Sequence, residues 1–399
     1  MKRFSNVRFG LLAVFVWFLI GATAVRGAAA TVWKNDDSRF VVGGDARLKI
    51  DSASDDGDRE TNGWRVRLRV NGEFTANEYV SAGFRLVTSS GDNRSIHGAL
   101  TVGDGGEEKT DFGVDRAYLR FKADGYYLWA GKNRINIWNP AQFLWDRDIQ
   151  PEGVALGYKA RDGKSKIGIG LGLFAFNKSD WGDNDYLLTY QAAFAVGDNL
   201  RIKGALGGLA FNDADQTQTG WIAGAGPDGI DKNNRGRIPG GSSNITHAMV
   251  ELKSADISFT PRIGFAYAVS DVSDYWGKTN NSTTGGARGA NLEQKDKQAF
   301  ITYFRAVVEG VDIRAYYWDV GYAGAPALGM FGQDEFPLAS NFTGYHVQAG
   351  YEVAKNISVE LRYSYQETKN RAISVWNSGV AMEGEMELEA YKATIAMRF

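Results

Sequence analysis

The sequence predicts an all-β fold: a transmembrane antiparallel β-barrel of about 16 strands, with short periplasmic turns and long extracellular loops. Three observations predict it. Segments of roughly ten residues with period-two alternation recur along the chain. The connections between them alternate short and long. The final stretch, LEAYKATIAMRF, sets Tyr391, Ala393, Ile395, Met397 and Phe399 against Lys392, Thr394, Ala396 and Arg398. A closed sheet needs such a strand, because its last member must pair with its first and turn an apolar face to lipid. Tyr391 and Phe399 are therefore the expected closing residues, although an edge strand of a soluble sheet would show the same local pattern.

Composition bounds the function. The 399 residues carry a formal net charge of −2, too balanced for nucleic acid as the main partner. There is no Cys, hence no disulfide framework and no thiolate metal site. Aromatic residues make up 13%, while mean hydropathy is only −0.31. A membrane barrel combines the two, since only alternate residues touch lipid.

The chain opens with Lys2, Arg3 and Arg8, then an apolar run from Leu11 to Ile20, then small residues ending in Ala28-Ala29-Ala30. That order predicts a secretory signal peptide over 1–30 and a barrel domain over 31–399. An uncleaved anchor is the alternative, but the run is short for a span.

Predicted strands follow at 40–50, 63–75, 78–88, 111–123, 125–134, 152–160, 165–176 and 185–196. The second half adds 199–210, 246–255, 256–269, 297–308, 311–322, 342–353, 356–366 and 386–399. The second strand is the clearest: Trp64, Val66, Leu68 and Val70 face one way, Arg65, Arg67 and Arg69 the other. Three arginines on one face cannot line a dry core, but they can line a watery lumen. Arg47, Arg85 and Lys132 are expected on the same inner wall, where cations outnumber carboxylates. A bulge could shift the parity of 111–123 and 297–308.

Most candidate chemical motifs lack the residues their chemistry needs. Gly224 to Gly229 fits G-x-G-x-x-G, but Pro227 interrupts it and no helix pattern follows. Asp231, Asn233 and Gly236 suggest a calcium loop, but Arg235 and Ser242 stand at ligand positions. The three histidines, His97, His247 and His346, lack a nucleophile neighbourhood, so no enzyme, metal or cofactor is expected.

The third long connection differs. In NIWNPAQFLWDRDIQPEG, Asn139 and Pro140 read as an N-cap and first helical residue, giving one or two helical turns to Trp145. Phe143, Leu144 and Trp145 are too apolar for an exposed loop. Either the loop packs on its own rim, or it folds into the barrel and narrows it. In the second case Asp146, Arg147, Asp148 and Glu152, with Arg134, line the constriction.

These residues carry a resemblance. Asp115-Arg116-Ala117-Tyr118-Leu119, Gly131-Lys132-Asn133, Asn139-Pro140 and Leu144-Trp145-Asp146-Arg147-Asp148 resemble the bacterial putative-porin family of Gram-negative outer-membrane proteins. The C-terminal strand is similar to those of outer-membrane proteins generally. The resemblance implies a porin of the cell outer membrane passing small hydrophilic solutes and ions. A channel selective for anions or sugars, or a closed adhesin or receptor barrel, is the alternative. Implied partners are membrane lipid and lipopolysaccharide, the barrel-assembly machinery and, by porin resemblance, a homotrimer.

Overall fold

The computed structural model describes residues 30–35, 37–55, 60–89, 98–100, 111–145, 150–175, 186–212, 243–271, 294–321, 342–369, 375–377, 380–382 and 387–399. Within them the principal sheet has 18 strands, of which 16 close into an antiparallel barrel. In chain order these are β1 Arg39–Asp55, β2 Glu60–Thr75, β3 Val80–Ser89, β4 Asp111–Ala123, β5 Tyr126–Lys132 and β6 Glu152–Asp162. Next come β7 Ser165–Ala175, β8 Tyr186–Val196, β9 Leu200–Asn212, β10 Ser243–Ser254 and β11 Arg262–Ser270. The last are β12 Gln298–Val308, β13 Val311–Val320, β14 Phe342–Ala354, β15 Ile357–Thr368 and β16 Glu387–Arg398. All sixteen predicted strands are present in the predicted order. Residues 1–29 of the predicted signal segment and most of the predicted loops lie outside the described residues.

Each strand pairs with its neighbour in sequence, and β16 pairs with β1 from Asp45↔Arg398 to Asp55↔Leu388. One step further, Phe399 donates its N–H to the Gly44 carbonyl at 3.0 Å and accepts from the Gly44 N–H at 2.7 Å. Gly44 has to be glycine there: a Cβ would lie 2.7 Å from the Phe399 ring and 2.2 Å from the Arg69 carbonyl. The predicted closing role of the last residue thus has a partner in the first strand. Just below, Ala30–Lys34 pairs with the start of β1 and stacks Trp33 on Phe74 at 6.3 Å.

The short connections all lie at one end of the barrel. Asp124-Gly125 and Glu309-Gly310 have positive φ at both central positions (48° and 86°, 50° and 84°), the conformation that matches the twist of a two-residue hairpin. One expectation is corrected here. A strand was expected to resume at Asp256, whereas β11 begins at Arg262. Pro261 has no N–H to give a ladder and Thr260 sits at φ 41°, so residues 255–261 form a wider turn. A second difference is at the opposite end, where β1 runs to Asp55 and β2 starts at Glu60. The expected loop is largely a tall hairpin, because alternating polar residues support strand pairing above the lipid.

Alternation sorts the faces. On β7, Ile167, Ile169, Leu171 and Leu173 are exposed, while Gly170, Gly172 and Phe174 turn inward and are buried. Such exposed apolar residues ring the barrel, as lipid contact requires. The bulge expected in 111–123 exists: register with β3 shifts between Arg85 and Leu86, so Asp115 and Arg116 are successive residues on the inner side. In β12 the register runs without a shift.

Candidate pore constriction and lumen wall

The β1–β4 side of the lumen is charged. Arg47 faces Arg67, and Asp45 faces Arg69 across the β1–β2 ladder. Cations packed this closely repel, and carboxylates between them offset it. Asp45 accepts from Arg69 Nε at 2.7 Å and from the fully buried Arg67 at 3.3 Å. Arg85 pairs with Asp115, both buried. Arg120 reaches Glu73 at 2.6 Å and the Ser81 hydroxyl at 3.0 Å. The β4 bulge makes this possible, since it adds Asp115 to the inner face without removing Arg116.

Facing this wall, residues 135–145 lie inside the barrel. Asn133 donates to the Pro151 carbonyl at 3.1 Å and closes the base of the loop. Asn136 donates to the carbonyls of Leu171 (2.7 Å) and Leu156 (3.3 Å), while its Oδ1 accepts from Thr189 at 2.9 Å. Gln191 brackets Trp138, accepting from its N–H at 2.6 Å and donating to its carbonyl at 3.0 Å. Lys203 lies 4.0 Å from the centre of the Trp138 ring, a cation–π distance. Phe143, Leu144 and Trp145 are fully or almost fully buried, and Phe143 packs against Trp318 of β13 at 6.4 Å. On the return, Gln150 accepts from Arg116 Nε at 3.0 Å. The loop therefore spans from the β6–β13 wall to the β1–β4 wall, the inward-folded alternative of the two.

Its internal structure differs from expectation. One 3-10 turn, Pro140–Gln142, replaces the one or two helical turns. Ala141 at φ 53° breaks the helical path. Asn139 stands at the N-cap position with Pro140 next, but its side chain does not cap the turn; it accepts from the Leu144 N–H at 2.8 Å and donates to the Trp145 carbonyl at 2.5 Å, tying the loop across itself.

The wall that receives the loop was not foreseen. Toward the extracellular end, the inner faces of β8 to β14 carry Leu187, Leu209, Phe211, Ile245, Ile301, Trp318 and Phe342, all buried in one apolar cluster with the loop. Apolar runs such as Leu187-Leu188 and Ala299-Phe300-Ile301 were the available signal. Glycine makes room for it: a Cβ at Gly170 would stand 2.9 Å from Asn136 Nδ2.

Placement of the remaining expected residues is mixed. Arg47, Arg67, Arg69 and Arg85 share the inner parity with buried Lys49. Arg65 faces Lys49 in register, but its side chain lies outside the described residues. Asp146, Arg147 and Asp148 also lie outside them. Arg134 is exposed at the loop's start. Lys132 and Glu152 are neighbours at 3.9 Å on the outward parity of β5 and β6, with Tyr126, Leu128, Val154 and Leu156. They decorate the rim rather than the lumen. Above the apolar band the outside is aqueous, so a charge there has no reason to turn inward. Tyr391 faces outward and meets Tyr363 at 5.0 Å, in the seam beside β1. His247 and His346 are buried apart on β10 and β14; His247 Nε2 is 3.0 Å from Gln191 Nε2. Among the described residues no cluster of metal-ligating side chains occurs.

Comparison with known proteins bears on the fold. The profile of the family described as putative porin matches residues 35–218. Salmonella typhi OmpF, solved in complex with daunomycin, aligns at 13% identity over 93% of this chain and 100% of its own, with TM-score 0.54. A mutant porin of Rh. blastica (90% and 100%, 13% identity) and Vibrio cholerae OmpT in trimer form (91% and 100%, 11% identity) give TM-scores of 0.48 and 0.49. No curated protein matches by sequence.

Proposed function

We propose that this chain, a porin-type β-barrel of the outer membrane, conducts small hydrophilic solutes and ions passively through its lumen. The observation that carries the proposal is the loop at 135–145, anchored inside the barrel opposite a wall of arginines. A sixteen-stranded barrel is wide enough to hold water across its middle, so selectivity needs a projection from the wall. This loop is one, and Asp146, Arg147 and Asp148 fall in sequence between its anchors at Trp145 and Gln150. Carboxylates there, set against Arg47, Arg67 and Arg69, would create a transverse field in a narrow aqueous gap, where screening is incomplete. The family and fold favour a channel over an enzyme.

The test is planar-bilayer recording of the refolded protein. Open-channel steps are expected, and Asp146→Asn/Asp148→Asn should move the reversal potential in a salt gradient toward anions. Negligible wild-type conductance would instead favour a closed receptor barrel. Following porin resemblance, we also propose a homotrimer, which sedimentation in detergent checks.

A further inference from the structure

A second set of cations lies away from the constriction, on the other side of the lumen. Across the β9–β10 ladder Arg201 faces Lys253; Lys253 faces Arg262 of β11, and Arg262 faces Arg305 of β12. The line continues from Arg305 to Arg314, then Gln348, then Arg362, then Lys392, and ends on Asp51 of β1. Every step is a direct cross-strand pair. The flanking residues Leu252, Ile263, Phe304, Val347 and Leu361 are exposed on the outer face, which puts the line on the inner one.

Its course follows from barrel geometry. A line of directly paired residues runs perpendicular to the strands, and strands tilt by about 40°. Each step of ~4.8 Å between strands therefore climbs ~3 Å, and eight steps climb ~25 Å, the height of the apolar band. Arg262 is the first residue of β11, whereas Lys392 stands six residues before the end of β16. The line thus spirals from the periplasmic mouth toward the extracellular half.

Like charges directly opposite one another are destabilising, yet four consecutive pairs here join cation to cation. Among the described residues the carboxylates beside the line are fewer than its cations: Glu251, two residues from Lys253, accepts from the Tyr303 hydroxyl at 2.8 Å. Asp312 is shared between Arg305 (2.8 Å) and Arg314 (2.6 Å), and Glu360 binds Arg362 at 3.3 Å while accepting from Gln348 at 3.1 Å.

We propose that this spiral is a stepped binding track for small multivalent anions bearing phosphate-type or carboxylate oxyanion groups. The proposal rests on the channel reading above and adds its solute class. Guanidinium forks grip such groups in pairs of hydrogen bonds, whereas chloride offers only a point charge. Successive sites about 5 Å apart let one anion leave a cation as it meets the next, so binding does not stall passage.

Inorganic phosphate is the probe. The variant Arg201→Gln/Lys253→Gln/Arg262→Gln leaves Asp312 and Glu360 with their partners, and Lys132→Gln on the outer rim is the control. Two readouts are used: block of chloride current by added phosphate, and equilibrium phosphate binding to the refolded barrel by calorimetry at low salt. Wild type and Lys132→Gln should show saturable block and binding, weakened tenfold or more in the triple variant. Lys253→Gln alone, the milder change, should weaken binding several-fold if the triple variant does not refold. Equal phosphate affinity in wild type and variant overturns the track, as does absence of binding by wild type. Binding lost in the variant without any wild-type conductance would support the track while removing the channel.

Discussion

The two sides of the lumen are built from opposite chemistry. From β1 to β4 the inner wall is arginine held by carboxylate: Asp45 with Arg67 and Arg69, Asp115 with Arg85, Glu73 with Arg120. From β8 to β14 its extracellular half is Leu, Ile, Phe and Trp. The difference teaches how a loop can be fixed inside a barrel. A polar loop on a polar wall would exchange its hydrogen bonds with water at little net gain. An apolar loop face on an apolar wall excludes water, and that gain holds Phe143 against Trp318, with Leu144 and Trp145 in the same buried cluster.

The largest expected effect therefore lies on the apolar side. Trp318→Ala removes the fully buried ring beneath Phe143 and should cost ~3–5 kcal/mol. Urea-gradient refolding into detergent micelles checks the loss. In bilayers the same variant should give larger and noisier conductance steps as the loop loosens. Wild-type conductance in a destabilised Trp318→Ala barrel would show that the loop is held from the charged side instead.

The charged side should respond less in stability and differently in conductance. Asp45→Asn leaves buried Arg67 and nearby Arg69 without that carboxylate, a loss of ~1–3 kcal/mol. Channel size should hold, while the reversal potential moves toward anions. A change in unitary conductance as large as that of Trp318→Ala would break the division of labour between the two walls.

How legible each wall was in the sequence follows the same division. The charged wall was legible because Arg65, Arg67 and Arg69 alternate with apolar residues, and only one placement satisfies both. The apolar wall was hidden because Leu187 and Leu188, or Phe300 and Ile301, are apolar on both parities. Period two cannot then say that the inner residue has a partner, since that partner is a loop distant in sequence. Lys132 and Glu152 were misplaced for a third reason: at a rim, charge no longer reports which face is wet. Asn139 was legible as a residue that bonds backbone, but not as one that ties residues 144 and 145, because an N-cap and a loop clamp use the same side chain.

The smallest expected effect in stability is also the most discriminating, and it lies where the two chemistries meet. Gly168 and Gly170 are both inward glycines of β7, one below the loop and one beneath it. A Cβ at Gly168 meets nothing nearer than 3.7 Å, so Gly168→Ala should be neutral or stabilising by about 0.5–1 kcal/mol, because alanine loses less backbone freedom in a strand. At Gly170 the same methyl would sit 2.9 Å from Asn136 Nδ2 and 3.1 Å from the Asn136 carbonyl. The amide can rotate away, but the carbonyl belongs to the loop backbone and must move by a few tenths of an ångström. Gly170→Ala should then weaken the Asn136 bonds to Leu156 and Leu171 and shift unitary conductance, with stability within about 1 kcal/mol of wild type. Gly168→Ala should leave conductance alone. Identical conductance in both variants would mean that the base of the loop does not set the bore, and that the anchors at Trp138 and Trp318 suffice.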